Sequence, residues 1–184
     1  MAKKATKLAV VPEPLNLKLD LGCGKNKQPN FIGVDVIAFP GVDQVVDLRK
    51  APWPWPDGSV EHVYCSHMIE HLEWPDRVTF FNELYRVLRL GGQCTLVWPN
   101  WAHERFWGDP THKAPMSTFA MYYLSKAWRE SQSPHVGYTC DFAVTWGHGM
   151  DTDKIVGRNP EYVQHAATHF INLVADIHAT LTKT

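Results

Sequence analysis

The chain lacks any apolar run near the ~18 residues that a membrane span requires, so no transmembrane segment is expected. Cysteine is sparse. Cys23, Cys65, Cys94 and Cys140 form no C-x-x-C pair and no zinc-type spacing, which predicts free thiols in a reducing compartment and no cysteine-bound metal. Charge of either sign is also in short supply, with a formal net of -1, so there is no global basic field to hold nucleic acid by its phosphates. Only Lys3, Lys4, Lys7, Lys25 and Lys27 offer a local patch. Internal repeats and low-complexity segments are absent. The apolar piece Leu8-Ala-Val-Val11 behind the basic start is too short for a signal-peptide core of ~7–15 residues, and a soluble, cytoplasmic protein is expected.

What is present fits one domain. With 184 residues and 45% hydrophobic content, the chain can bury a core without staples. Residues 1–14 read as a flexible basic N-terminus and residues 15–184 as a single domain. Eight tryptophans and ten histidines are a heavy load. Most of it is expected to be packing and ordinary hydrogen-bonded imidazole.

Leu15 to Leu21 alternates apolar and polar residues, which predicts a strand. Phe31 to Val36 and Val42 to Val46 are further strand candidates, and Val60 to Cys65 follows a stiff Pro52-Trp-Pro-Trp-Pro56 lead-in. Val78, Phe81, Leu84, Tyr85 and Leu88 predict a helix over Asp76 to Leu88, stopped by Gly91-Gly92, with a buried strand over Gln93 to Trp98. Asn100 to Pro115 has no clear period and reads as a lid or binding loop. Beyond it the pattern predicts a helix over Ser117 to Arg129, a strand over Thr139 to Trp146, a helix over Pro160 to Asn172 and a last strand through Ile177, Ala179 and Leu181.

The most informative stretch is Leu17-Lys-Leu-Asp-Leu-Gly-Cys-Gly24, followed by Phe31-Ile-Gly-Val-Asp35. A strand runs into a glycine turn where backbone can approach a ligand, and a second strand ends in a carboxylate able to accept from two ribose hydroxyls. A dinucleotide site would want G-x-G-x-x-G with a helix N-terminus for the pyrophosphate. Here the third glycine is missing, and Asp20 would repel a pyrophosphate while suiting a cationic amino group. Only Gly22 to Asn30, with Pro29 among them, separate the two strands, whereas a parallel crossover normally takes a dozen residues or more. The first helix is therefore expected to be shortened or absent, which would leave a more open pocket.

These residues resemble the first motif of the class I S-adenosylmethionine (SAM)-dependent methyltransferases, and within that group the small type 11-like enzymes. The resemblance continues through Val45-Val-Asp-Leu48, through Pro54 to Leu72 and through Phe80 to Asn100, four blocks in the family's order over roughly residues 15 to 100. It implies an α/β, Rossmann-like fold: a seven-stranded, mostly parallel sheet with a closing antiparallel hairpin. It also implies SAM as cofactor. Asp20 would orient the methionine amino group, directly or through water, while Gly22, Cys23 and Gly24 lie against the ligand. Asp35 would hold the ribose, Asp47 and Leu48 would meet the adenine, and Ser66 and His67 would face the methionine end or the acceptor.

The implied reaction is in-line methyl transfer to a small or medium acceptor, a metabolite, sugar or peptide side chain rather than duplex nucleic acid. If the nucleophile arrives protonated, His67 is the first candidate base, His112 in Asp109-Pro-Thr-His112 the second, and His71 trails them. The alternative is a SAM-fold binding or regulatory subunit without catalysis. A nicotinamide oxidoreductase fails on the glycine spacing. His67-Met-Ile-Glu-His71 also matches H-x-x-E-H, the inverted zinc-peptidase signature. That site needs a third ligand and a supporting helix pair, and the stretch falls where the resemblance places a strand-end loop, so no metal is expected.

Overall fold

The computed structural model describes residues 15–184. The basic start expected over residues 1–14 lies outside the described residues. Seven strands form one sheet: β1 (Leu17–Leu21), β2 (Ile32–Asp35), β3 (Gln44–Val45), β4 (Val60–Ser66), β5 (Leu88–Pro99), β6 (Phe142–Met150) and β7 (Val174–Lys183). Their order is β3-β2-β1-β4-β5-β7-β6. The first five run parallel, and β7 lies antiparallel to both β5 and β6. This is the expected mostly parallel sheet with an antiparallel closing pair. No helix among the described residues is long and apolar enough to cross a membrane.

Helix α1 (Trp74–Val87) packs on the sheet through Phe80, Phe81, Leu84 and Val87, whose spacing of one and three or four residues makes a single buried stripe. Its first turn carries Pro75, where a missing N–H costs nothing. The expected glycine stop is corrected: α1 ends at Val87, and Gly91-Gly92 sit inside β5. They serve a bulge, because β5 has to make up a register shift against β4 between Val60 and His62. A Cβ on Gly92 would stand 2.8 Å from Arg89 O and 3.1 Å from Val60 O.

Between β1 and β2 there is no helix at all. The loop is held by carboxylates instead. Asp20 accepts from Gln28 N at 2.7 Å, and Asp43 accepts from Gly33 N at 2.7 Å while pairing with Lys27 at 2.8 Å. The helix expected over Ser117 to Arg129 is split into a 3-10 turn (Thr118–Leu124) and α3 (Lys126–Gln132), after the short α2 (Glu104–Gly108). Tertiary partners cause the break: Asp141 accepts from Lys126 N at 2.8 Å, and the Arg129 guanidinium donates to Tyr123 O at 2.6 Å and to Cys140 O. Two further helices, α4 (Thr152–Ile155) and α5 (Pro160–His169), lie between β6 and β7. All four cysteines are buried free thiols.

Candidate functional site

Open α/β sheets bind ligands beyond the C-terminal ends of their parallel strands. A cavity of about 560 Å³ lies there, lined by Gly22 after β1, Asp35 to Ile37 and Phe39 after β2, Val46 to Arg49 after β3, and His67, Met68, His71 and Leu72 after β4. Of the residues singled out in the sequence, Gly22, Asp35, Asp47, Leu48, His67 and His71 line it together. Asp20, Cys23, Gly24, Ser66 and His112 do not.

Gly22 shows why the turn needs glycine. Its φ is +73°, and an added Cβ would lie 2.4 Å from Met68 Cγ and 2.7 Å from Met68 Cβ. The Gly22 and Cys23 amides both donate to Val34 O, at 2.8 and 3.1 Å, which ties the turn to β2. Asp35 completes that tie by accepting from Gly24 N and Ile37 N, each at 2.9 Å. Each of its oxygens keeps a lone pair for an incoming hydroxyl. Gly24 therefore shapes the site through Asp35.

Asp20 sits lower than the wall and is only 3% exposed. Burial raises its carboxyl above the ordinary value, against the pull of the Gln28 amide and Lys27. On the opposite side, bonding from the Arg49 guanidinium holds Asp47 down to about 2, with Lys50 at 3.4 Å as a further cation. Leu48 is fixed from behind, its carbonyl accepting from Trp53 Nε1 at 3.1 Å. The tryptophans of the proline-rich lead-in thus brace the cavity wall, and Trp55 Nε1 does the same for β3 by donating to Gln44 Oε1 at 3.1 Å.

His67 has a φ of +52°, rare for a residue with a Cβ, and its amide donates to Val97 O at 2.9 Å. Its half-exposed ring stands with Nδ1 3.3 Å from Glu70 Oε1 and Nε2 3.9 Å from Asp176 Oδ1. Glu70 raises its pKa, with Asp176 adding to the effect and burial opposing it. His112 sits apart, donating from Nδ1 to Phe106 O at 2.7 Å and packing edge-on against His71 at 4.9 Å between ring centroids.

The 100–115 segment is anchored at several points along its length. Asn100 donates to Ala175 O and Val174 O, Lys113 N donates to Glu70 O at 2.8 Å, and the Arg77 guanidinium donates to Ala114 O and Pro115 O. An apolar wall formed by Val36, Ile37, Phe39, Met68 and Leu72 completes the cavity, and none of these residues is among those singled out in the sequence. A signal for it existed: Val36 and Ile37 continue the apolar run past Asp35, yet are 55% and 54% exposed, as a ligand-facing strip would be.

Strand order, the glycine turn closing β1 and the carboxylate closing β2 belong to a Rossmann-like α/β domain. Residues 19–96 match the family model described as "Methyltransferase domain". A probable S-adenosylmethionine-dependent methyltransferase from Mycolicibacterium smegmatis is 31% identical over 117 residues, 62% of this chain, and the chain spans 43% of that relative's length. Among solved structures, a SAM-dependent methyltransferase from Archaeoglobus fulgidus superposes with a TM-score of 0.64 at 18% identity, covering 91% of this chain and 86% of its own. One from Mesorhizobium loti gives 0.55 at 16% identity, covering 94% of each chain. In sequence over residues 19–96 and in fold over most of its length, this chain is similar to S-adenosylmethionine-dependent methyltransferases.

Proposed function

We propose that residues 15–184 act as one SAM-binding domain that transfers a methyl group to a small or medium acceptor. The observation that carries this reading is the joint placement of Gly22, Asp35, Asp47, Leu48 and His67 around a single cavity of about 560 Å³. Asp35 would accept from the ribose hydroxyls. Leu48, Ile37 and Phe39 offer an apolar slot for a base, beside Asp47. His67, across the cavity at the end of β4, would face the sulfonium and the acceptor. The sulfonium is already activated, so alignment of nucleophile and methyl group is the main contribution open to the protein. The buried free thiols favour a reducing compartment such as the cytoplasm.

The test is calorimetric titration with SAM and, separately, with its demethylated product, in wild type and Asp35→Ala. Both ligands are expected to bind in the micromolar range, and the variant to lose about 1–3 kcal/mol of SAM affinity through the missing charged hydrogen bonds. Absence of binding by either ligand would overturn the reading, and an unchanged Asp35→Ala affinity would sink the ribose assignment.

For His67→Ala, turnover on an identified acceptor is expected to fall about 10²-fold or more, the usual worth of a positioned base, with SAM affinity little changed. Equal losses in both would reduce His67 to a binding residue.

A further inference from the structure

We propose that Glu70, His71 and His112 form a binding site for a divalent transition-metal cation of the zinc type, beside the cavity and clamping the 100–115 segment to the end of β4. Glu70 is 2% exposed, and neither of its carboxylate oxygens has a hydrogen-bond partner among the described residues. A bare buried carboxylate is costly unless a cation or further hydrogen bonds meet it. His67 Nδ1 approaches only Oε1, at 3.3 Å, and leaves Oε2 with nothing.

The two histidines are oriented toward that carboxylate from behind. His112 Nδ1 lies 2.7 Å from Phe106 O, and His71 Nδ1 lies 3.3 Å from Thr111 O. A carbonyl only accepts, so His112 Nδ1 carries the proton in the neutral ring. His71 Nδ1 also meets Thr111 Oγ1 at 3.2 Å, whose own proton goes to Asp109 Oδ1 at 2.6 Å, so there too Nδ1 donates and Nε2 presents its lone pair. This is the arrangement of metal-ligating histidines, whose second nitrogen is fixed by a backbone carbonyl or carboxylate. His112 Nε2 is 3.8 Å from Glu70 Oε1. Ligand atoms of the three residues all lie within 4.8 Å of one another.

Zinc bonds of roughly 2.0–2.2 Å put tetrahedral ligands about 3.4 Å apart, so loading requires small ring movements and no backbone change. Two imidazoles and one carboxylate suit zinc and its neighbours rather than magnesium or calcium, which take oxygen ligands. The third ligand absent from the H-x-x-E-H spacing is thus supplied by the 100–115 segment. Its position next to Glu70 is fixed independently of any metal by the Lys113 N to Glu70 O bond of 2.8 Å. The peptidase reading of the motif gains nothing, because Glu70 lies in the short 3-10 turn Ile69–His71 and faces the cluster as a ligand rather than a base. His71 lines the cavity, so a fourth coordination position would open where an acceptor enters. That last step rests on the proposed methyl transfer, whereas the binding of the ion does not.

The test uses the full chain, stripped with chelator and titrated with Co²⁺ for its visible spectrum and with Zn²⁺ in a calorimeter, separately from any SAM titration. One equivalent of Co²⁺ is expected to give d–d bands of a low-coordinate nitrogen and oxygen site. His71→Ala, His112→Ala and the isosteric Glu70→Gln are each expected to weaken Zn²⁺ binding by about tenfold or more. The two histidine variants change partly exposed positions, so they read the site even if Glu70→Gln disturbs folding. Exposed His165 and His169, stacked at 4.1 Å on α5, are the competing surface pair, and His165→Ala is expected to leave the signal intact. The proposal is overturned if no saturable binding occurs up to about 1 mM, or if binding follows His165 instead of His112. In the first case Glu70 serves only His67, whose Nδ1 stands 3.3 Å from Oε1.

Discussion

Gly22→Ala is expected to remove measurable SAM binding while leaving the far-ultraviolet circular dichroism of the sheet nearly unchanged. Two separate penalties act at this position. The left-handed φ of +73° costs a residue with a Cβ about 1–2 kcal/mol. The new methyl would also stand 2.4 Å from Met68 Cγ and 2.7 Å from Met68 Cβ. Relief by rotating Met68 addresses only the first of those contacts, so the turn or the end of β4 has to shift, an overpacking cost of about 1–3 kcal/mol. Either shift moves a wall of the cavity, since both residues line it. Calorimetry and chemical denaturation on the same variant separate loss of the site from loss of the fold. The double variant Gly22→Ala with Met68→Gly is expected to recover the clash part and keep the φ part. Undiminished SAM affinity in the single variant would mean that the ligand does not lie against this turn.

Glu83→Ala is expected to have the largest effect on stability, about 3 kcal/mol, through a network behind the cavity wall. Glu83 accepts from Trp53 N at 2.6 Å and holds the Arg86 guanidinium at 2.6 and 2.9 Å. Arg86 in turn donates to Trp53 O, Trp55 O and Asp57. The proline-rich lead-in is thereby fastened to α1, and with it the Trp53 ring that fixes Leu48. Truncation leaves a buried amide without an acceptor and a largely covered guanidinium short of its partner. At about 2–4 °C per kcal/mol for a chain of this size, thermal unfolding is expected about 6–12 °C lower.

Its pH dependence carries a sign. Arg86, together with the Trp53 amide, holds the Glu83 carboxyl below its ordinary 4.5, against the effect of burial. The stabilisation is therefore full above the unfolded value and is lost as pH falls through the folded one. The gap between wild type and variant should narrow below about pH 4. A constant gap down the acid limb would mean that packing, not charge, carries the effect.

The parallel half of the sheet was legible because its strands announce themselves locally. Leu17, Leu19 and Leu21 alternate, Val60 to Cys65 follows rigid prolines, and the motif spacing fixes the order. The missing first helix was legible from chain length alone. What failed was decided by partners distant in sequence. The helix expected from Ser117 breaks at Ser125 because Asp141 and Cys140 claim Lys126 N and Arg129. The strand expected from Thr139 begins only at Phe142, since Asn82 Oδ1 accepts from Thr139 N at 2.7 Å and Arg129 takes Cys140 O. At the other end it runs on to Met150, because β7 supplies partners past Trp146. Val42 to Val46 shrinks to two paired residues at the sheet edge.

The site divides in the same way. Gly22, Asp35 and Asp47 close strands, so their convergence follows from topology. The meeting of His112 with Glu70 depends on how the 100–115 segment folds back, and no local pattern encodes that.

The stretch between β6 and β7 stands apart from the rest of the chain. α4 has no buried residue and α5 buries only Ala166, while a cavity of about 500 Å³ opens between them. Fully buried large side chains sit elsewhere: Phe80, Phe81 and Leu84 on α1, Leu88, Leu96 and Trp98 on β5, Leu19 and Leu21 on β1, and Leu181 on β7. Cohesion is therefore graded across the molecule, and elements with few apolar contacts open first. Residues 151–172 form a shoulder that can lift and resettle many times in the life of one folded molecule. Among the described residues a protease would find its first cut there, well before the strands around the glycine turn came apart.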